Sequence, residues 1–176
     1  MRKKLQNLIN LSENRENPLL DERNNFFKGR FEKSHLYNQQ FNVVGQINEV
    51  TYINDGISES IEHTFNSLQK IQHPVVLILG GLNSLEDYSI LTGFVNDRID
   101  SIIFIGVGKD QLIKKFEAYD VELSTADDIE QAVFMAYRSA AENYVVLYSP
   151  ASSPVEYKNV EERVERYTNA VDKLIK

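Results

Sequence analysis

The sequence predicts an α/β fold: a doubly wound, mostly parallel sheet with an antiparallel hairpin at one edge. Three observations carry that prediction. Val75–Leu79, Ser101–Ile105 and Tyr144–Tyr148 are apolar runs with little polar interruption, the pattern of strands covered by helices on both faces. Stretches with apolar residues at helical spacing separate them, which implies right-handed βαβ crossovers. A pair of short β-rich runs precedes the first of these strands, placing a hairpin at the start of the sheet.

The strand His73 to Gly81, HPVVLILGG, organises the rest. Pro74 stops what precedes it, because its ring fixes φ and removes a donor. Gly80 and Gly81 let the backbone turn sharply or approach a ligand closely, and ligands of open α/β sheets bind beyond the carboxyl ends of strands. A core strand ending in a glycine turn explains the same residues.

Residues 1–40 read as an amino-terminal arm, rich in Asn, Glu, Lys and Arg. Leu5, Leu8, Ile9 and Leu11 suit one short helix, which Pro18 would end. Phe26, Phe27, Phe31, Leu36 and Tyr37 are apolar enough to pack on the globular part or on a partner.

Residues 41–176 form the domain. Phe41–Val44 and Val50–Asn54 read as the hairpin strands, joined by Gly45–Glu49 with Asn48 near the turn. Asp55-Gly56 closes the second strand, and Ser58 is a natural cap for a helix over about 58–70 carrying Ile61, Phe65 and Leu68. Asp87–Asn96 reads as a helix with Tyr88, Leu91 and Val95 on one face. Strand 101–105 leads through Gly106-Val107-Gly108 into a helix over Asp110–Ala118, and Val121–Leu123 is a short strand. Thr125, with Asp128 three residues on, reads as an acidic capping box for a helix carrying Ile129, Val133, Ala136, Tyr137 and Ala140. After strand 144–148 and Ser149-Pro150, a final helix over Val160–Lys176 lines up Val160, Val164, Tyr167, Val171 and Leu174.

Composition narrows the function. The chain carries 19 Lys and Arg against 26 Asp and Glu, a net charge of −7. That balance argues against nucleic acid and anionic membranes as partners. No apolar run reaches the roughly 20 residues of a membrane span. The basic, amphipathic start is interrupted by polar residues, unlike a secretory signal. The absence of cysteine excludes disulfides and suits a reducing cytoplasm. His35, His63 and His73 show no metal-ligand spacing.

Gly106-Val107-Gly108-Lys109 invites a phosphate-loop reading and fails it. Asp110 stands where Ser or Thr is needed, and no third glycine completes a dinucleotide fingerprint. Ser149 and Ser153 lack the glycine elbow of a hydrolase nucleophile.

Four segments stand out in order: Val44-Gly45 to Asp55 with its YIND ending, Leu77–Asp87 (LILGGLNSLED), Leu147–Ser153 (LYSPASS) and Tyr157–Tyr167 (YKNVEERVERY). Together they resemble the carboxy-terminal domain of the Mur ligases, most closely the ligase that joins D-glutamate to UDP-N-acetylmuramoyl-alanine. The resemblance spans about residues 39–176. It implies a Rossmann-like domain that docks on a P-loop ATPase domain and helps bind ATP and the incoming amino acid. It also implies a place in bacterial peptidoglycan synthesis, with amide-bond formation through an acyl phosphate.

By the same resemblance, Asp55 matches an aspartate that helps hold the nucleotide. Ser153 matches a serine near the amino-acid carboxylate, and Asn159 and Arg163 match the N and R of the last motif. The departures are Ile57 for a lysine, Glu59 for a threonine, Ser84 for a lysine and Gln39-Gln40 for a His-Arg pair. One residue is also missing between Ala151 and Ser153. A lysine beside a transferring phosphate or a carboxylate supplies charge stabilisation worth several kcal/mol.

These losses imply a stand-alone, catalytically degenerate Mur-ligase carboxy-terminal-like domain with a binding or structural role. Its relic ligand site would comprise Asp55, Gly80, Gly81, Asn83 and Ser153, with no catalytic residue, no metal and no cofactor of its own. ATP and magnesium would bind only if a separate P-loop domain completed it, and such a domain or another protein is the implied partner. Two alternatives stand beside this reading. One is a fragment or subunit of an ATP-dependent amide-bond-forming ligase. The other is an unrelated doubly wound domain that binds a nucleotide or nothing. For Asp55 and Ser153 a local role explains the same residues, Asp55 capping the helix near Ser58 and Ser153 closing a turn before Pro154.

Overall fold

A computed structural model describes residues 41–81 and 86–175. The expected amino-terminal arm, Asn83 and Ser84 lie outside the described residues. Among the described residues, six strands form one sheet in the order β1-β2-β6-β3-β4-β5. β1 (Asn42–Ile47) runs antiparallel to β2 (Val50–Asn54) at one edge. β2, β6 (Val145–Tyr148), β3 (Val75–Gly80), β4 (Ile99–Ile105) and β5 (Glu122–Thr125) pair in parallel. This is the expected α/β architecture with its edge hairpin.

The apolar runs take the middle of the sheet because both their faces need cover. Val75, Leu77 and Leu79 point into one core with Leu147, Ile102 and Phe104. Val76 and Ile78 point into the other with Val146, Tyr148 and Ile103. Val75–Leu79 are fully buried, and burying each such side chain contributes about 1.5–3 kcal/mol. The first face is covered by α1 (Ile61–Leu68), a 3₁₀ turn (Tyr88–Leu91), α2 (Thr92–Asp97) and α3 (Lys109–Phe116). The second is covered by α4 (Ile129–Ser139) and α5 (Val160–Ile175).

Four local expectations are corrected. β1 continues through Gly45 and Gln46, with a bulge between Val43 and Gly45, and the hairpin turns at Asn48-Glu49 alone. Both turn residues have positive φ, 49° and 63°, as a two-residue turn matched to strand twist requires. The cap of α1 is Ser60, extended and accepting from the His63 N–H, while Ser58 is buried. Residues 87–96 are split: Asp87 caps the 3₁₀ turn, and the Thr92 hydroxyl donates to the Ser89 carbonyl at 2.6 Å where α2 begins. Thr125 stays in β5 opposite Phe104, and Asp128 caps α4 by accepting from the Gln131 N–H at 2.7 Å. Gln131 returns the contact by accepting from the Asp127 N–H.

Candidate functional site

Adjacent strands β3 and β6 send their chains to helices on opposite faces of the sheet. Such a reversal opens a crevice at the carboxyl ends, and the Gly80-Gly81 turn, the Gly106 turn and the Ser149–Ser153 segment meet there. The Gly80 N–H donates to the Pro150 carbonyl and the Gly81 N–H to the Ile105 carbonyl, each at 3.1 Å. Gly81 has φ of +63°, and a Cβ on it would stand 2.3 Å from Ser152 Oγ. A glycine is therefore required twice there, for its backbone conformation and for the room it leaves.

What remains between these turns is a shallow depression of about 300 Å³, partly open solvent. Gly80, Gly81, Gly106, Tyr148, Tyr157 and Arg163 form much of its lining. Among the described lining residues Arg163 is the one cation, and it is 1 % exposed. Its guanidinium donates to the carbonyls of Gly56 (2.6 Å), Ser152 (2.6 Å) and Ser58 (3.4 Å). Burial pulls its pKa below the usual arginine value, against the opposing pull of Tyr148 and Glu59. The Glu156 carboxylate lies over Gly106, 3.2 Å from where a Cβ would stand. Exposed Val107 and Val155 complete the rim.

The expected site residues divide. Gly80, Gly81 and Ser153 line the depression, whereas Asp55 does not. Asp55 is 4 % exposed. Its Oδ2 accepts from Ser67 Oγ of α1 at 2.7 Å and from Ser149 Oγ at 2.8 Å. Burial raises its pKa above the ordinary carboxylate value, and the two serine hydroxyls offset part of that rise. Nor does Asp55 cap α1; its carbonyl instead accepts from the Ser58 N–H in the turn before the helix. The Ser153 carbonyl accepts from the Val155 N–H at 2.9 Å, across Pro154. Asn159 accepts from the Glu162 N–H at the start of α5. Lys109, after the glycine pair, donates to Asp127 (2.7 Å) and the Ala126 carbonyl (2.9 Å). Its charge is thus held between two turns of the scaffold.

Sequence reasoning missed the hydroxyl chain behind the rim. Ser149 Oγ lies 2.8 Å from Thr64 Oγ1, which lies 3.2 Å from Ser58 Oγ. The available signal was Thr64 and Ser67 on the same helix face as Ile61 and Leu68. Polar residues on a buried face need a polar partner.

No protein-family model matches the sequence. The chain is 30% identical over 129 residues to the UDP-N-acetylmuramoylalanine–D-glutamate ligase of Porphyromonas gingivalis, covering 73% of this chain and 29% of that protein. It is 32% identical over 130 residues to the enzyme of the same name from Christiangramia forsetii, with the same coverage. The chain thus spans under a third of the length of these curated relatives. The solved structure of a UDP-N-acetylmuramate–alanine ligase from Thermotoga maritima shares the fold, with a TM-score of 0.51 at 12% identity. That match covers 77% of this chain and 30% of the other.

Proposed function

We propose, from the premise that this chain carries a Mur ligase carboxy-terminal-like domain, that the domain is non-catalytic and has a binding or structural role. The observation that carries this reading is the state of the charges at the carboxyl-end rim. Cations with free donors give phosphate and carboxylate ligands their strongest, charge-assisted contacts. Arg163, almost fully buried, directs one N–H from each guanidinium nitrogen to a backbone carbonyl, and Lys109 is engaged by Asp127 and the Ala126 carbonyl. Ile57 and Glu59 stand where the family resemblance expects lysine and threonine. Glu156 adds a carboxylate beside the glycine turns. The rim then serves as a scaffold, with the depression at Gly80, Gly81 and Ser153 as the relic of a ligand site.

Calorimetry of the protein against millimolar ATP with magnesium tests this. Binding too weak to saturate is the expected result, and a micromolar Kd overturns it. A second reading, a part or subunit of an ATP-dependent amide-bond-forming ligase, is favoured by the 30–32% identity to D-glutamate ligases. In that case adding a separate P-loop ATPase chain together with UDP-N-acetylmuramoyl-alanine would give D-glutamate-dependent conversion of ATP to ADP and phosphate with amide formation, and MgATP binding would appear only in the mixture.

A further inference from the structure

Among the described residues β1 (Asn42–Ile47) is an outer strand of the sheet. Its stretch 41–48, FNVVGQIN, holds neither a charged residue nor a proline, the side chains that commonly keep an open edge from pairing. The opposite edge differs: β5 has four residues, starts at Glu122 and has Asp120 just before it. Val43 is partly buried on the core under α1, and Val44 and Ile47 on the core under α5. Gly45 and Ile47 pair with Tyr52 and Val50 of β2, whereas the bulge leaves Val44 with no partner there. Alternate residues of an antiparallel strand direct N–H and C=O to opposite sides, so Val44 and Gln46 offer theirs to a further strand. Ile175, 59 % exposed at the end of α5, overhangs the same strand, its Cδ1 3.8 Å from where a Cβ on Gly45 would stand.

We propose that the outer edge of β1 is the interface of a homodimer, in which a second copy adds its own β1 antiparallel about a two-fold axis through Gly45. That register sets Val44 of each copy opposite Gln46 of the other and joins two six-stranded sheets into one. The edge is complementary to itself in two ways. Gly45 meets Gly45 on the axis, and the missing side chains leave room for the two Ile175 side chains to close over the seam. The Asn48-Glu49 turn of each copy falls beside the Phe41 end of the other, where Lys70 Nζ stands 5.0 Å over the Phe41 ring. Each end of the seam therefore brings a carboxylate to an ammonium, twice by symmetry. Among the described residues neither Glu49 nor Lys70 has an ion-pair partner within one chain. Along the uncharged strand between those ends, two chains of net charge −7 meet without opposing like charges.

Sedimentation equilibrium of the intact protein from micromolar to millimolar concentration tests this, with amide exchange of Val44 and Gln46 read at both ends of the range. The expected result is a monomer–dimer equilibrium in which those two amides become protected as the dimer forms. Ile175→Asp puts two like charges at the axis and should abolish the dimer, with the urea midpoint of the monomer unmoved because that side chain is exposed. Glu49→Lys or Lys70→Glu alone should weaken the dimer roughly tenfold, since each turns two attractions into repulsions. The double variant should restore it. A monomer at every concentration overturns the proposal and assigns the bulge the role of twisting the edge away from partners. A dimer indifferent to Ile175→Asp and to the charge swaps also overturns it, because it uses another surface. Protection of Val44 and Gln46 that does not change with concentration overturns it as well, and assigns the edge a cover within one chain.

Discussion

Replacing Gly81 by alanine tests whether the glycine turn and the Ser149–Ser153 segment are one packed unit. Two costs add. An alanine held at φ of +63° loses roughly 1–2 kcal/mol to contact between its Cβ and the backbone. The new methyl would also stand 2.3 Å from Ser152 Oγ and 2.5 Å from Ser152 Cβ, so Ser152 must move. Its carbonyl is held by Arg163 at 2.6 Å, and overpacking against a fixed neighbour typically costs about 1–3 kcal/mol. Gly81→Ala should therefore destabilise the protein by roughly 2–5 kcal/mol. Ser152→Gly removes the obstructing side chain and leaves the backbone term, so the double variant should recover about 1–3 kcal/mol relative to simple addition. Urea unfolding followed by circular dichroism and tyrosine emission measures both, since the chain has nine tyrosines and no tryptophan. A Gly81→Ala variant within about 0.5 kcal/mol of the parent, or a double variant with additive losses, would refute the reasoning.

Three further outcomes follow from other contacts. Gly93 is a helical glycine whose added Cβ would meet nothing within 4 Å, so Gly93→Ala should stabilise by about 0.5–1 kcal/mol, read as a raised urea midpoint. Asp128→Ala removes the cap of α4 and should lower stability by about 1 kcal/mol, with amides of the first turn of α4 exchanging faster. Asp55 has a raised pKa in the folded protein. Its contribution is therefore most favourable below the ordinary carboxylate value and is lost as pH rises through the folded value. The stability of Asp55→Asn relative to the parent should grow with pH across that window and then level off, measured as paired urea titrations. A gap that shrinks with pH would contradict the sign.

The sheet was legible because its central strands are unbroken or nearly unbroken apolar runs, VVLIL, SIIFI and VVLY, and all of these residues are buried. Element ends were less so, for a physical reason. Several residues competent to cap lie in a row, as in Ser58-Glu59-Ser60 and Thr125-Ala126-Asp127-Asp128. The choice is made by tertiary contacts. Ser58 is taken by Thr64 and Thr125 by pairing with β4, which leaves Ser60 and Asp128 as caps. β1 was cut short because Gly45 and Gln46 read as a turn, whereas the sheet absorbs them through a bulge.

The site was legible as positions and illegible as environment. Asp55 was found by motif, yet its partners Ser67 and Ser149 come from 12 and 94 residues away, and only the fold reveals that they bury it. The same holds for Asn159 and Arg163, which the structure places on helix and loop backbone.

These placements separate two components of the family resemblance. The glycine pair, the Ser-Pro-Ala segment and Arg163 brace one another through backbone groups. Changing any one strains its neighbours, so packing by itself constrains these positions. Ile57 and Glu59, which stand where the family resemblance expects lysine and threonine, are half-buried and exposed respectively. A substitution there leaves the braced turns untouched. Side chains at those two positions can therefore vary while the fold and its braced turns remain.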